Sequence, residues 1–235
     1  MRKGVIEMEI SLRECLRALL ISMLLIGGTG GWATPGRGAG APDDSLALPT
    51  PHTKGGMSVE EALSRRRSVR RFDPAPLSME QLSQLFWALQ GITSPRGFRT
   101  APSAGATFPL EVYAATRDGL YHYIPEGHRA RILSKKDLRP ALGKASLGQP
   151  YVSNCSAVFV ITADFKRTSG KYGSRTERYV TLEAGHAAQN LMLQAVSLDL
   201  GTVAIGAFVD EDVHRALGLP AAETPLYLIC AGRTR

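Results

Sequence analysis

Apolar and polar positions fall into recognisable periods only after about residue 57 of this 235-residue chain. Ser58 and Glu61 are spaced as a capping box, so a helix starts there and carries Ala62 and Leu63 toward a run of arginines. Ser78 and Gln81 form a second box, opening a helix whose Leu82, Leu85, Phe86 and Leu89 share one face before Gly91 closes it. Residues 92–107, "ITSPRGFRTAPSAGAT", have no period and many turn formers, which marks a long functional loop. "LEVYAAT" and "LYHYI" then read as a hairpin, with Asp118 and Gly119 suiting a two-residue turn. A short helix is expected around 136–145, and "AVFVITA" (157–163) is continuous enough for a strand buried on both faces. The longest helix is expected over about 175–198, followed by the strand "TVAIGAF", a short helix over 211–217 and a last strand, "PLYLICAG". Without regular βαβ alternation, these elements predict an α+β fold with a mixed or antiparallel sheet surrounded by helices.

The first 56 residues read differently. The apolar run from Ala18 to Ile26 is too short to span a bilayer, and Gly31 and Ala33 stand where a signal peptidase takes small residues. Residues 1–33 are therefore expected to be a signal peptide or N-terminal anchor. Residues 34–56, rich in Pro, Gly, Ala and Ser, are expected to be a flexible linker, leaving a folded domain at 57–235. The implied location is periplasmic or otherwise extracytoplasmic, or membrane-anchored, and cytoplasmic if translation begins downstream. Cys155 and Cys230 sit within apolar runs and read as buried small hydrophobes rather than a disulfide, a metal site or a nucleophile.

Composition changes this picture little: apolar residues at 44% and charged ones at 21% are ordinary for a globular protein. The net charge of +7 matters only through its clustering, because the rest of the chain mixes both signs and lacks the aromatic-laced basic stripe of a nucleic-acid binder. The cluster is "RRRSVRR", residues 65–71. Arg67, Ser68 and Arg70 can present two guanidinium forks and a hydroxyl to one phosphate, with Arg233 and Arg235 arriving from the other end of the domain. A solvated basic helix end explains the same spacing equally well. On the long helix Glu183, His186 and Asn190 share a face, but Glu-x-x-His is only half of a di-iron site, so no metal is expected. The small residues Ala184, Gly185, Ala187 and Ala188 instead suit a close helix–helix contact, within the chain or between subunits. No nucleophile elbow, Walker loop or dinucleotide fingerprint is present, and an enzyme without such groups borrows its chemistry from an organic cofactor.

"RRSVRRF", "RTAPSAGATFPLEVY", "GLYHYIPEGH", "KYGSRTERYVTLEAGHAAQNLMLQAVSLDLGTVAIGAF" and "CAGR" occur in this order over roughly residues 60–235. Together they resemble the flavin-dependent nitroreductase family, and within it the SagB-type (McbC-like) branch of azoline dehydrogenases. The resemblance implies a nitroreductase-like fold with a long interface helix, in a homodimer that binds FMN between its subunits. It implies that Arg66, Arg67, Ser68 and Arg70, joined by Arg233, hold the FMN phosphate and ribityl chain. Pro102, Ser103, Ala104 and Gly105 match the segment that reaches the flavin from the other subunit, and Ala204, Ile205 and Gly206 the backbone beside its ring. Lys171 and Tyr172 match the pair associated with proton handling in azoline oxidation. The export signal departs from that branch, whose members work in the cytoplasm.

The expected activity is therefore an FMN-dependent, SagB-type dehydrogenation of a small-molecule or peptide substrate. The alternative within enzymes is an NAD(P)H-dependent nitro or quinone reductase. From another class, the arginines could serve a non-catalytic binder of anions or nucleic acid, whose affinity would fall steeply with salt. Under the first two readings no nucleic acid is expected as a partner.

Overall fold

The computed structural model describes residues 45–235; the expected signal at 1–33 and the first part of the linker lie outside them. Seven strands form one sheet in the order β1-β4-β3-β2-β5-β7-β6, with every pairing antiparallel. They are β1 (Ser45–Ala47), β2 (Leu110–Thr116), β3 (Gly119–Ile124), β4 (Arg129–Ser134), β5 (Ala157–Ala163), β6 (Leu200–Ile205) and β7 (Thr224–Arg233). The helices are α1 (Val59–Arg65), α2 (Met79–Gln90), α3 (Arg139–Ala145), α4 (Pro150–Asn154), α5 (Lys166–Tyr172), α6 (Thr176–Ser197) and α7 (Asp210–Leu217). The α+β class and the long helix are as expected.

Central strand β5 shows why the sequence runs apolar without a break. Phe159 and Ile161 face one core, with α2 and α6, while Val158 and Val160 face the other, with α3 and α7. Alternate residues of a strand point to opposite faces, so a strand covered on both sides is apolar on both, and its one polar residue, Thr162, is buried with its hydroxyl donating to Glu223. Phe86 anchors the first core, stacked on Tyr123 with ring centroids 5.0 Å apart and edge-on to Phe159 at 5.5 Å. Cys155 and Cys230 are free thiols buried in the second core.

Both caps form as spaced: Ser58 Oγ accepts from Glu61 N–H, and Ser78 with Gln81 makes the full reciprocal box. Three details differ from expectation. The segment from residue 45 to 52, assigned to the linker, is part of the domain. β1 pairs with β4, Leu48 is buried, Ser83 Oγ donates to Pro49 O at 2.6 Å, and His52 N–H donates to Gln84 Oε1 at 2.8 Å. Its shortness and its two prolines concealed this, because the segment is held largely through its backbone and the single buried Leu48. The hairpin turn is Arg117–Asp118 rather than Asp118–Gly119, since Thr116 pairs with Gly119. The helix α5, which carries Lys171 and Tyr172, was not among the elements expected from the sequence. On α6 the small residues Ala184, Ala187 and Ala188 are buried, and both α2 and α1 pack against α6 in the same chain; Leu182, Gly185 and His186 are exposed.

Candidate active site

The arginine run is split by its backbone. Arg65 pairs with Glu61 one turn back at 2.6 Å, and Arg67 Nη1 donates to Ser64 O and Arg66 O at 2.8 and 2.7 Å, closing α1. Beyond Arg67 the chain extends along the sheet edge. Ser68 bridges Thr202, Val69 N–H donates to Thr202 O at 2.8 Å, Phe72 bridges Thr234, and Asp73 N–H donates to Arg233 O at 2.9 Å. Gly201 permits this approach: a Cβ there would stand 2.8 Å from Val69 and 2.7 Å from Thr234. Phe72, buried in the second core, fixes the segment's depth. The sequence-predicted residues Arg66, Arg67, Ser68, Arg70 and Arg233 are thereby gathered along one edge.

Arg70 lies over the Tyr151 ring, 5.8 Å from its centroid, and with Arg71, Arg235 and Asn154 lines a pocket of about 380 Å³. Tyr151 donates to Gln149 Oε1, and Gln149 Nε2 donates to Ala207 O at 3.1 Å. That chain of contacts leads to the end of β6, where Ile205 is buried and Gly206 exposed, with Ala204 between the two in burial. Among the described residues Arg66, Arg70, Arg71, Arg233 and Arg235 have no carboxylate partner. Thr202 Oγ1, beside Ser68, is buried without a partner. Unneutralised guanidinium groups on fixed backbone, next to a vacant hydroxyl, suit the dianionic phosphate of a cofactor. Arg71 was not singled out from the run in the sequence, whereas Arg235 was paired there with Arg233 and here lines the pocket with Arg70.

The other predicted residues meet elsewhere. Residues Ala104–Ala106 make a single 3₁₀ turn in which Gly105 has φ 59°, and Ala106 and Phe108 also have positive φ, at 54° and 44°. Helix α5 straps this turn down. Thr107 Oγ1 meets Thr168 Oγ1 at 2.8 Å, Arg167 Nη1 donates to Phe108 O at 3.1 Å and pairs with Glu111, and Lys171 Nζ donates to Gly105 O at 3.3 Å. A Cβ on Gly105 would stand 2.6 Å from both Lys171 Nζ and Tyr172 OH. The predicted loop and the predicted proton-handling pair thus converge on one glycine. Pro102 is exposed at the entrance to the turn, and Ser103 Oγ accepts from Phe108 N–H at 3.0 Å.

Beneath the turn lies Glu183 of α6, only 3% exposed. Burial pushes its carboxyl up to about 7, against the opposing pull of the Ser103 hydroxyl, the Ala104 amide and the Arg99 charge. His186 is exposed and Asn190 Nδ2 donates to Thr100 O at 3.1 Å, so the helical ridge does not act as one ligand set.

No hydrogen bond or ion pair joins the arginine edge to the turn among the described residues. Apart from Arg235, the residues of both groups lie within 63–233, the span matched by the profile of the nitroreductase family. The chain belongs to the nitroreductase family. Among its nitroreductase relatives, MJ1384 of Methanocaldococcus jannaschii, named after these enzymes, is 42% identical over 75% of this chain and 91% of its own. A crystal structure of a nitroreductase homologue from Ralstonia eutropha is 31% identical with a TM-score of 0.74, covering 82% of this chain and 90% of that one. The NADPH:FMN oxidoreductase of Vibrio harveyi, solved in complex with NAD+, shares the fold with a TM-score of 0.57 at 22% identity, over 75% of this chain and 68% of that one. As a nitroreductase-family member the chain is an oxidoreductase.

Proposed function

We propose that this oxidoreductase uses FMN and works as a homodimer. The observation that carries the reading is the division of its site. α1, leading into the arginines, packs near Leu193 and Ser197 of α6, whereas the turn sits over Glu183. Glu183 and Ser197 are fourteen residues apart, about 21 Å along a helix. One chain keeps the halves separate; a second copy about a two-fold axis would set each turn against the other chain's arginines. In that assembly Arg66, Arg67, Ser68, Arg70 and Arg233 hold the phosphate end. The backbone of Ala204, Ile205 and Gly206 lies along the ring, and Pro102, Ser103, Ala104 and Gly105 approach from the second copy.

Bound FMN supplies two-electron transfer, taking up a hydride equivalent and passing electrons to an acceptor. A dehydrogenation also releases a proton, and Lys171 Nζ and Tyr172 OH, both held at Gly105, are the groups placed to take it. Their convergence favours a SagB-type dehydrogenase that converts an azoline to an azole. The second reading, an NAD(P)H-dependent nitro or quinone reductase, draws support from the names of the Methanocaldococcus and Vibrio proteins. Anaerobic mixing separates them. Under the first reading an azoline peptide bleaches the flavin, and Lys171→Met with Tyr172→Phe slows bleaching by roughly 100-fold or more. Bleaching by NAD(P)H alone, indifferent to both substitutions, would establish the second. Export through residues 1–33 is part of the proposal, and places the site outside the cytoplasm.

A further inference from the structure

We infer that Glu111 is a positioning residue: from the interior strand β2 it holds Arg167, and through Arg167 it sets helix α5 so that Lys171 and Tyr172 meet the turn at Gly105. This rests on the reading above, in which the turn and the Lys–Tyr pair belong to the working site.

Helix α5 does not place itself. It has seven residues, no side-chain cap at its start and Gly170 near its end, and a helix so short is marginal without tertiary ties. Its start is fixed by the sheet, because β5 ends at Ala163 and Asp164 N–H donates to Pro109 O at 2.9 Å. Its far end, roughly 10 Å onward at the helical rise, carries Lys171 and Tyr172. Arg167 and Lys171 are one turn apart and share a face. Both reach the same strip of backbone: Arg167 Nη1 donates to Phe108 O at 3.1 Å and Lys171 Nζ to Gly105 O at 3.3 Å, with the Thr168–Thr107 contact beside them. What orients Arg167 therefore sets how Lys171 arrives at Gly105.

Glu111 orients Arg167. Its Oε1 accepts from Arg167 Nη2 at 2.5 Å and its Oε2 from His122 Nε2 at 2.7 Å, so both oxygens are committed. His122 is steadied in turn on β3, its ring stacked on Tyr113 with centroids 4.7 Å apart. The Glu111 side chain is only 17% exposed, which shields the pair from the water and salt that make surface ion pairs weak. Burial alone would raise its carboxyl, yet the His122 and Arg167 contacts hold it below its ordinary value, in the charged form that Arg167 needs. The planar guanidinium fork thus spans strand and turn, one Nη on Glu111 and the other on Phe108 O, fixing direction as well as distance. Without the Glu111 charge, the carboxylate next in reach is Asp164, whose Oδ2 lies 3.8 Å from Arg167 Nε. Turning toward it withdraws Nη1 from Phe108 O and leaves the Lys171 end of α5 loose.

The test joins hydrogen exchange in the full chain to single-turnover bleaching of the flavin by an azoline peptide. Glu111→Gln keeps the shape of the side chain and removes its charge; Arg167→Met cuts the other end of the link. In each, exchange should rise about tenfold or more over 104–108 and 166–172, as expected for loss of a charge-assisted bond, while β5 stays as protected as in the native chain. The double variant should be no looser than Arg167→Met, because Glu111 acts through Arg167. The saturating bleaching rate should fall about tenfold in Glu111→Gln, with the half-saturating peptide concentration and FMN content unchanged. Placed in the Lys171→Met, Tyr172→Phe background, Glu111→Gln should slow bleaching no further. Native-like exchange over both segments, additive loosening in the double variant, or equal slowing with and without the Lys–Tyr pair would overturn the inference. If the exchange pattern holds in protein that takes no FMN, or whose flavin no azoline peptide bleaches, the functional reading fails and the Glu111 link stands. An FMN-loaded, azoline-bleached protein without the exchange pattern refutes only this inference.

Discussion

Replacing Gly105 with alanine strikes the point where the turn meets Lys171 and Tyr172. An L-residue at φ 59° costs about 1 to 2 kcal/mol. The added Cβ would lie 2.6 Å from Lys171 Nζ and Tyr172 OH and 2.9 Å from Lys171 Cδ, so each must retreat by roughly 1 Å to reach ordinary contact distance. These are ends of flexible side chains, so the fold should survive while the pair is displaced. Loss of the exposed Lys171–Gly105 hydrogen bond adds about 0.5 kcal/mol. The expected sum is about 2 kcal/mol, read as a lower urea midpoint at unchanged slope. A 1 Å displacement of a reacting group costs on the order of 100-fold in rate, measurable as single-turnover flavin bleaching. Gly97→Ala is the control: φ there is 78° with nothing within 4 Å of a Cβ, so it should lose only the conformational part and keep its rate. If Gly105→Ala bleaches as fast as Gly97→Ala, the pair is not held at Gly105 and the reasoning fails.

The Glu183 carboxyl sits near 7 in the folded chain against an ordinary 4.5, so between those values the unfolded chain has released a proton that the folded chain retains. Stability should therefore fall as pH rises through this window, by roughly 3 kcal/mol in all, levelling off above it. Urea titrations from pH 4.5 to 8 should show that slope in the native chain and lose it in Glu183→Gln. Burial lowers the His128 imidazole below its ordinary value, so its contribution runs the other way and is lost on acidification. Removing residues 45–56 should cost roughly 3 kcal/mol through lost burial of Leu48 and the bonds from Ser83 and His128 to Pro49; equal midpoints with and without the segment would return it to the linker. Arg70→Ala and Arg233→Ala should each weaken FMN binding by about tenfold to a hundredfold, as expected for charge-assisted bonds, with the FMN-free midpoint unmoved. Fluorescence titration with FMN checks this.

What was legible in the sequence followed from local rules. Capping boxes placed α1 and α2, and the unbroken apolar run placed β5, because those signals reside in neighbouring residues. The arginine segment and Arg233 lie along one edge because residues 68–73 run beside β6 and the end of β7, a long-range contact that the sequence shows only as a pairing of two basic clusters. The shift of the hairpin turn by one residue was not legible: Arg117–Asp118 forms the turn while Gly119 lies against the Ser134 carbonyl, a distant constraint. Nor was β1, whose three residues gain their place from β4 and, through Leu48, from His128. Glu183 stood out for the wrong reason, as half of a metal motif. Its burial depends on a turn eighty residues earlier in the chain, which periodicity along one helix cannot report.

The central claim is the cofactor. The full chain should be purified and its visible absorption recorded, with mass spectrometry of any small molecule released on denaturation. The account predicts a flavin spectrum and release of FMN at close to one per chain. A colourless protein that takes up no added FMN would contradict it, and the arginine edge would then have to serve another anion.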